Sequence, residues 1–92
     1  MNKRLKITIE GEVQGVSFRY YAKAEADSLG LQGYIKNLPD GSVYVEVEGS
    51  DNALSKFVTW CHDGPKHAQV REINVDSVSE LKGFKEFEIQ FQ

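Results

Sequence analysis

The stretch Gln32-Gly33-Tyr34-Ile35-Lys36-Asn37-Leu38-Pro39-Asp40-Gly41-Ser42-Val43-Tyr44-Val45-Glu46-Val47-Glu48 decides the fold. Gln32 to Leu38 reads as a strand. Pro39-Asp40-Gly41 is a turn, because proline presets φ and glycine accepts φ > 0. Val43, Val45 and Val47 then alternate with Tyr44, Glu46 and Glu48, the period of a strand buried on one face. The two runs make a hairpin. Glu46 and Glu48 lie two apart, so they share its polar face. Without an inward partner they read as a solvated sheet face, not a catalytic dyad.

Working outward, Leu5, Ile7 and Ile9 alternate with Lys6, Thr8 and Glu10, which predicts another half-buried strand. Gly11 to Arg19 has no clean period and reads as a loop. From about Tyr20 the spacing changes. Phe18, Ala22, Ala26 and Leu29 form one helical stripe, which Gly30 or Gly33 can end in a left-handed conformation. Beyond the hairpin, Ser50, Asp51 or Asn52 can cap a second helix with the stripe Leu54, Phe57, Val58 and Cys61. Asp63-Gly64-Pro65 stops it. Val70 to Val78 holds a fourth strand, in which Val70 and Ile73 break parity and can flank a bulge. Phe87, Ile89 and Phe91 alternate in a short last strand.

The order is therefore βαββαβ plus a terminal strand. This is the ferredoxin-like split βαβ arrangement, an α+β sandwich with an antiparallel-dominated sheet and two helices on one face. Right-handed crossovers make the first and second strands parallel, with the hairpin partner between them. One sheet edge then collects the end of strand one, the start of helix one and the end of strand two. Residues 11–19 and residue 37 are expected to meet there.

The chain has 92 residues, enough for a single domain over residues 1–92. No apolar run approaches a membrane span, and Met1-Asn2-Lys3-Arg4-Leu5-Lys6 lacks the apolar stretch of a secretory signal. Net charge is −3, from 11 basic and 14 acidic side chains. That argues against nucleic-acid binding through bulk charge, though not against a local anion site. The one cysteine, Cys61, excludes an internal disulfide, a four-cysteine cluster and a CxxC pair. With His62 and His67 it forms no recognisable zinc set. The expectation is a cytoplasmic protein that folds on its core alone.

Arg19 falls at or just before the first turn of helix one, where a cation opposes the helix dipole and free N–H groups point outward. Both features ask for an anion. Gln14, Gly15, Val16, Ser17 and Phe18 precede it in a short loop whose N–H groups can form an anion nest. The Arg19 fork suits two phosphate oxygens. The alternative is a surface pair with Glu12 or Glu25. Gly-Lys-Ser/Thr is missing, so no P-loop is present. Asn37 shares parity with Ile35, so its amide faces the helix side beside Arg19, where it can donate to an oxygen and accept from a water. The alternative is an ordinary turn asparagine. Cys61 reads as a core residue, His62 and His67 as solvated, and Trp60 as edge packing. No nucleophile, general base or cofactor loop stands out. An acyl phosphate fits such a site, because its leaving carboxylate needs no general acid.

At these residues the sequence resembles the acylphosphatase family. Gly11-Glu12-Val13-Gln14-Gly15-Val16-Ser17-Phe18-Arg19 matches the family's Gly-x-Val-Gln-Gly-Val-x-Phe-Arg signature at every specified position. Gly33 to Val43 resembles its second block, and Gly64, Pro65, Ala68 and Val70 a third. The resemblance implies a hydrolase that cleaves carboxyl–phosphate anhydrides without metal or cofactor. By it, the N–H groups of residues 14–19 and the Arg19 side chain hold phosphate, and Asn37 orients the water. The phosphate itself can take the water's proton. Within the second block Tyr34 stands where the family often has Trp, a change next to the site, and Gln90 stands where a basic residue is common near the end. The implied partner is a small-molecule acyl phosphate, for a monomer with neither nucleic acid nor membrane. Two rivals share the fold: a non-turnover anion module, as in larger hydrogenase-maturation enzymes, and an RNA-binding domain. The second lacks the RNP1 pattern, and Tyr44 among acidic neighbours makes a poor stacking platform.

Overall fold

The computed structural model describes residues 1–91. The chain runs β1 (Asn2–Glu12), α1 (Phe18–Ser28), β2 (Gln32–Asn37), β3 (Val43–Ser50), α2 (Asp51–Asp63), β4 (Gln69–Val78) and β5 (Phe87–Gln90). The strands form one sheet in the order β4-β1-β3-β2-β5. β3 pairs antiparallel with both β1 and β2, so those two run parallel with the hairpin partner between them. This is the expected ferredoxin-like topology. β5 adds to β2 in parallel.

Register follows hydrophobic parity. Ile7 sits opposite Val45, and Val45 opposite Ile35, which puts three fully buried side chains in one row under the helices. Phe18, Ala22 and Ala26 of α1 and Leu54, Phe57 and Cys61 of α2 close over that face. α1 ends in the two bonds of a left-handed glycine stop. Leu31 N–H reaches the Ala26 carbonyl at 2.9 Å and Gly30 N–H the Asp27 carbonyl at 3.1 Å, with Gly30 at φ 71°. Of the three candidate caps for α2, Ser50 serves: its hydroxyl accepts from Ala53 N–H at 3.2 Å.

Several boundaries differ from expectation: β4 begins at Gln69 rather than Val70, and β5 ends at Gln90 and leaves out Phe91. β2 ends at Asn37 rather than Leu38, and α1 starts at Phe18 rather than Tyr20. β1 also runs on to Glu12, through residues that look like loop. The cause is the bulge anticipated in β4. Glu10 pairs with Glu72 and Gly11 with Val70, so Arg71 is passed over and pairing resumes. Only glycine fits at residue 11, where φ is 139° and a Cβ would stand 2.1 Å from the Gln69 carbonyl oxygen.

The far face of the sheet corrects the reading of Glu46 and Glu48 as solvated. They are 3% and 5% exposed. Glu46 pairs with Arg4, itself buried, and accepts from Tyr34 Oη at 3.0 Å and Tyr44 Oη at 3.2 Å. Glu48 accepts the N–H groups of Lys82, Gly83 and Phe84, which folds the 80–84 segment over this face. Burial alone would raise the Glu46 pKa, but hydrogen bonds from Tyr34, Arg4 and Tyr44 outweigh it and hold the carboxyl below its ordinary value. Both acids are thus structural.

Candidate active site

The loop between β1 and α1 is pinned at each end by a buried apolar side chain. Val13 is buried at its start. At its end Phe18 inserts into the core, edge-on to Trp60 with centroids 5.4 Å apart. Trp60 also stacks on Phe57, so it packs on the core rather than binding a ligand. Between the pins the backbone alternates in hand. Gly15 has φ 77° and Ser17 φ 62°, while Val16 keeps a negative φ. Alternation of this kind turns successive N–H groups toward one concavity, the geometry of an anion nest. Nothing lies within 4 Å of where a Gly15 Cβ would be, so conformation and not crowding calls for glycine. Ser17 is the only non-glycine with positive φ among the described residues. Such a backbone costs about 1–3 kcal/mol and gathers at functional sites.

Ser17 occupies the N-cap of α1 without a side-chain capping bond, and no acid stands in the first turn. The first helical bond runs from Tyr21 N–H to the Ser17 carbonyl at 3.2 Å. The N–H groups before it have no intrahelical acceptor and lie at the positive end of the helix.

Gln14 ties this loop to the β2–β3 turn. Its amide nitrogen donates to the Leu38 carbonyl and to the Ser42 carbonyl, each at 2.8 Å. The turn is braced by Asp40, whose carboxylate accepts Ser42 N–H at 3.0 Å and Ser42 Oγ–H at 2.6 Å. Those two bonds from Ser42 hold the Asp40 pKa below its ordinary value. Asn37 is the last residue of β2, half-buried opposite Val43. Gln14, Asn37, Leu38 and Pro39 line one cavity of about 440 Å³. The expected meeting of the first loop with residue 37 is therefore present.

Arg19 is placed differently. Its Nη1 donates to the Gln90 carbonyl at 2.8 Å, and its guanidinium carbon lies 4.9 Å from the centroid of the Phe91 ring. It pairs with neither Glu12 nor Glu25, and it does not line the Gln14–Asn37 cavity. The sheet still brings it near. β5 lies beside β2 with Gln90 opposite Lys36, one residue before Asn37. Arg19 thus caps the end of β5, the neighbour of the strand end that carries Asn37.

Two things were not legible in the residues. One is the side chain of Gln14, whose acceptors are main-chain carbonyls and so carry no sequence signal. The other is the anchoring of Arg19 by the carbonyl of Gln90 rather than by an acid. Tyr34 does not adjoin the Gln14–Asn37 cavity as its sequence position implied; its hydroxyl turns to Glu46 on the far face. Cys61 is fully buried, and burial pushes its thiol pKa up. His62 and His67 are exposed. Among the described residues no three His, Cys, Asp or Glu side chains group to hold a metal ion.

Comparison with known proteins identifies the family. The model of the Acylphosphatase family matches residues 5–89. An acylphosphatase of Nocardioides sp. is 52% identical over 75 residues, covering 82% of this chain and 76% of the relative. One from Thermotoga maritima is 43% identical over 89 residues, covering 97% and 98%. The crystal structure of acylphosphatase from Bacillus subtilis superposes with a TM-score of 0.95 at 38% identity, covering 99% of this chain and 100% of the other. On its loop, its strand order and these matches, the chain belongs to the acylphosphatase family.

Proposed function

We propose that this family member hydrolyses the carboxyl–phosphate anhydride of acyl phosphates with one loop, one arginine and one asparagine. The N–H groups of Gln14, Gly15, Val16, Ser17, Phe18 and Arg19 and the Arg19 guanidinium hold the phosphate, and Asn37 orients the attacking water. Phosphoryl transfer needs positioning and charge stabilisation more than covalent chemistry. The leaving carboxylate is a weak base of pKa ~4, so it departs without a protein acid. The phosphate oxygens take the water's proton. No step in this scheme calls for a metal or cofactor.

The observation that carries the scheme is the Gln14 bridge, which sets the N–H loop against the strand end bearing Asn37. Arg19, from the first turn of α1, adds its fork over the end of the neighbouring strand β5. The same reading makes residues 1–92 one catalytic unit, a cytoplasmic monomer that engages a small molecule and no nucleic acid. The net charge of −3 suits that partner choice. No helix among the described residues is long and apolar enough to cross a membrane.

Inhibition by inorganic phosphate in EDTA, with benzoyl phosphate as substrate, tests the division of labour. Arg19→Ala is expected to weaken phosphate inhibition at least about tenfold, the loss of one charge-assisted contact. Asn37→Ala is expected to leave it nearly unchanged while turnover falls. The opposite assignment of the two losses would overturn the scheme.

A further inference from the structure

Two large aromatic side chains stand in solvent beside Arg19. Tyr20 is 58% exposed and Phe91 64% exposed. Their ring centroids are 6.2 Å apart, tilted by 48°. They come from opposite ends of the sequence, one from the first turn of α1 and one from just beyond β5. Phe91 is held in place by the guanidinium of Arg19 at 4.9 Å. Ring–ring contact makes the pair one contiguous exposed apolar face beside a cation, unlike apolar residues scattered singly.

We infer that Tyr20 and Phe91 form the surface that receives the acyl group, and that the chain favours acyl phosphates with aromatic or bulky apolar acyl groups over acetyl phosphate. This rests on the reading of Arg19 as the phosphate-holding fork. The acyl carbon is one bridging oxygen away from phosphorus. A phosphate on the guanidinium therefore brings the acyl group within the few ångströms that separate Arg19 from the Phe91 ring. An aryl group lying there gains ring–ring contact and removes apolar surface from water, whereas an acetyl group reaches little of either. The surface is open, so it selects for added contact rather than against size.

The experiment is the ratio of kcat/KM for benzoyl phosphate to that for acetyl phosphate. It is measured in wild type, Tyr20→Ala, Phe91→Ala, the double variant and the remote control Lys56→Ala. Each aromatic truncation is expected to lower the ratio about fivefold, and the double variant further, while Lys56→Ala matches wild type. The ratio cancels any shift of Arg19 that Phe91→Ala causes, because such a shift acts on both substrates. An unchanged ratio in Tyr20→Ala and in the double variant overturns the acyl surface. An unchanged ratio together with a concentration-dependent dimer lost in Tyr20→Ala assigns the pair to self-association and overturns it equally. Failure of wild type to hydrolyse either substrate overturns instead the reading beneath it.

Discussion

The Gln14 side chain donates to the Leu38 carbonyl at 2.8 Å, across 24 positions of sequence. A second bond, to Ser42 at 2.8 Å, closes the same amide over both sides of the β2–β3 turn. Two parallel strands that are not neighbours in the sheet thereby keep their carboxyl ends in fixed relation. The loop on one and Asn37 on the other depend on that relation.

Gln14→Met keeps the length of the side chain and removes both donors. At about 0.5–1.5 kcal/mol per bond, the loss is about 1–3 kcal/mol of positioning, so kcat/KM is expected to fall ~10- to 100-fold. Gln14→Glu is expected to be worse, since a carboxylate would face two carbonyls and the substrate phosphate. Steady-state kinetics with benzoyl phosphate decides, alongside circular dichroism to show that both variants are folded. Equal activity of Gln14→Met and wild type would remove the bridge from the scheme.

The Arg4–Glu46 pair predicts how stability depends on pH. The folded pKa of Glu46 is lowered, so its contribution is present above the unfolded value of ~4.3 and fades as pH falls through the folded one. Tyr34 and Tyr44 have raised pKa values, chiefly through burial and secondly through Glu46. Their contribution is present below ~10 and is lost as pH rises beyond it. Urea midpoints are therefore expected to be highest between these limits. Glu46→Gln is expected to be less stable than wild type at pH 7, with the gap narrowing in acid. Arg4→Met leaves a buried carboxylate unpaired and is expected to cost about 3–5 kcal/mol. A gap that does not change with pH would contradict the assignment.

Cys61 is expected to resist thiol reagents in the native state. It is fully buried on the α2 stripe, and burial raises its pKa, so thiolate is scarce. A disulfide-exchange probe is expected to label it only as fast as the chain opens, and urea to accelerate labelling. Rapid stoichiometric labelling in buffer would show an open α2.

Most of the fold was legible because its signals are local. The parity of Val43, Val45 and Val47 set the buried face of β3, and the parity break between Val70 and Ile73 located the Arg71 bulge. The glycine–loop–arginine order also marked the candidate site, since a helix start is where the proposed scheme offers Arg19 and residues 14–18 a shared anion. What stayed illegible is what depends on distant main chain. Glu46 and Glu48 look solvated until Arg4 and the 80–84 segment arrive over them. The Gln14 amide and the Arg19 fork both meet carbonyl oxygens, and a carbonyl is the same atom in every residue. β1 outran its expected end because Gly11, read as a loop residue, is where the strand absorbs the bulge.

The most direct measurement is turnover of benzoyl phosphate in EDTA by wild type, Arg19→Ala, Arg19→Lys and Asn37→Ala, each verified as folded. Wild type is expected to hydrolyse it steadily. All three variants are expected to lose at least about 100-fold in kcat/KM, the usual cost of removing one charge-stabilising group. Arg19→Lys is expected to fall nearly as far as Arg19→Ala, because a point charge does not reproduce the fork. Near-wild-type turnover in folded Arg19→Ala or Asn37→Ala would contradict a site built from this loop, this arginine and this asparagine.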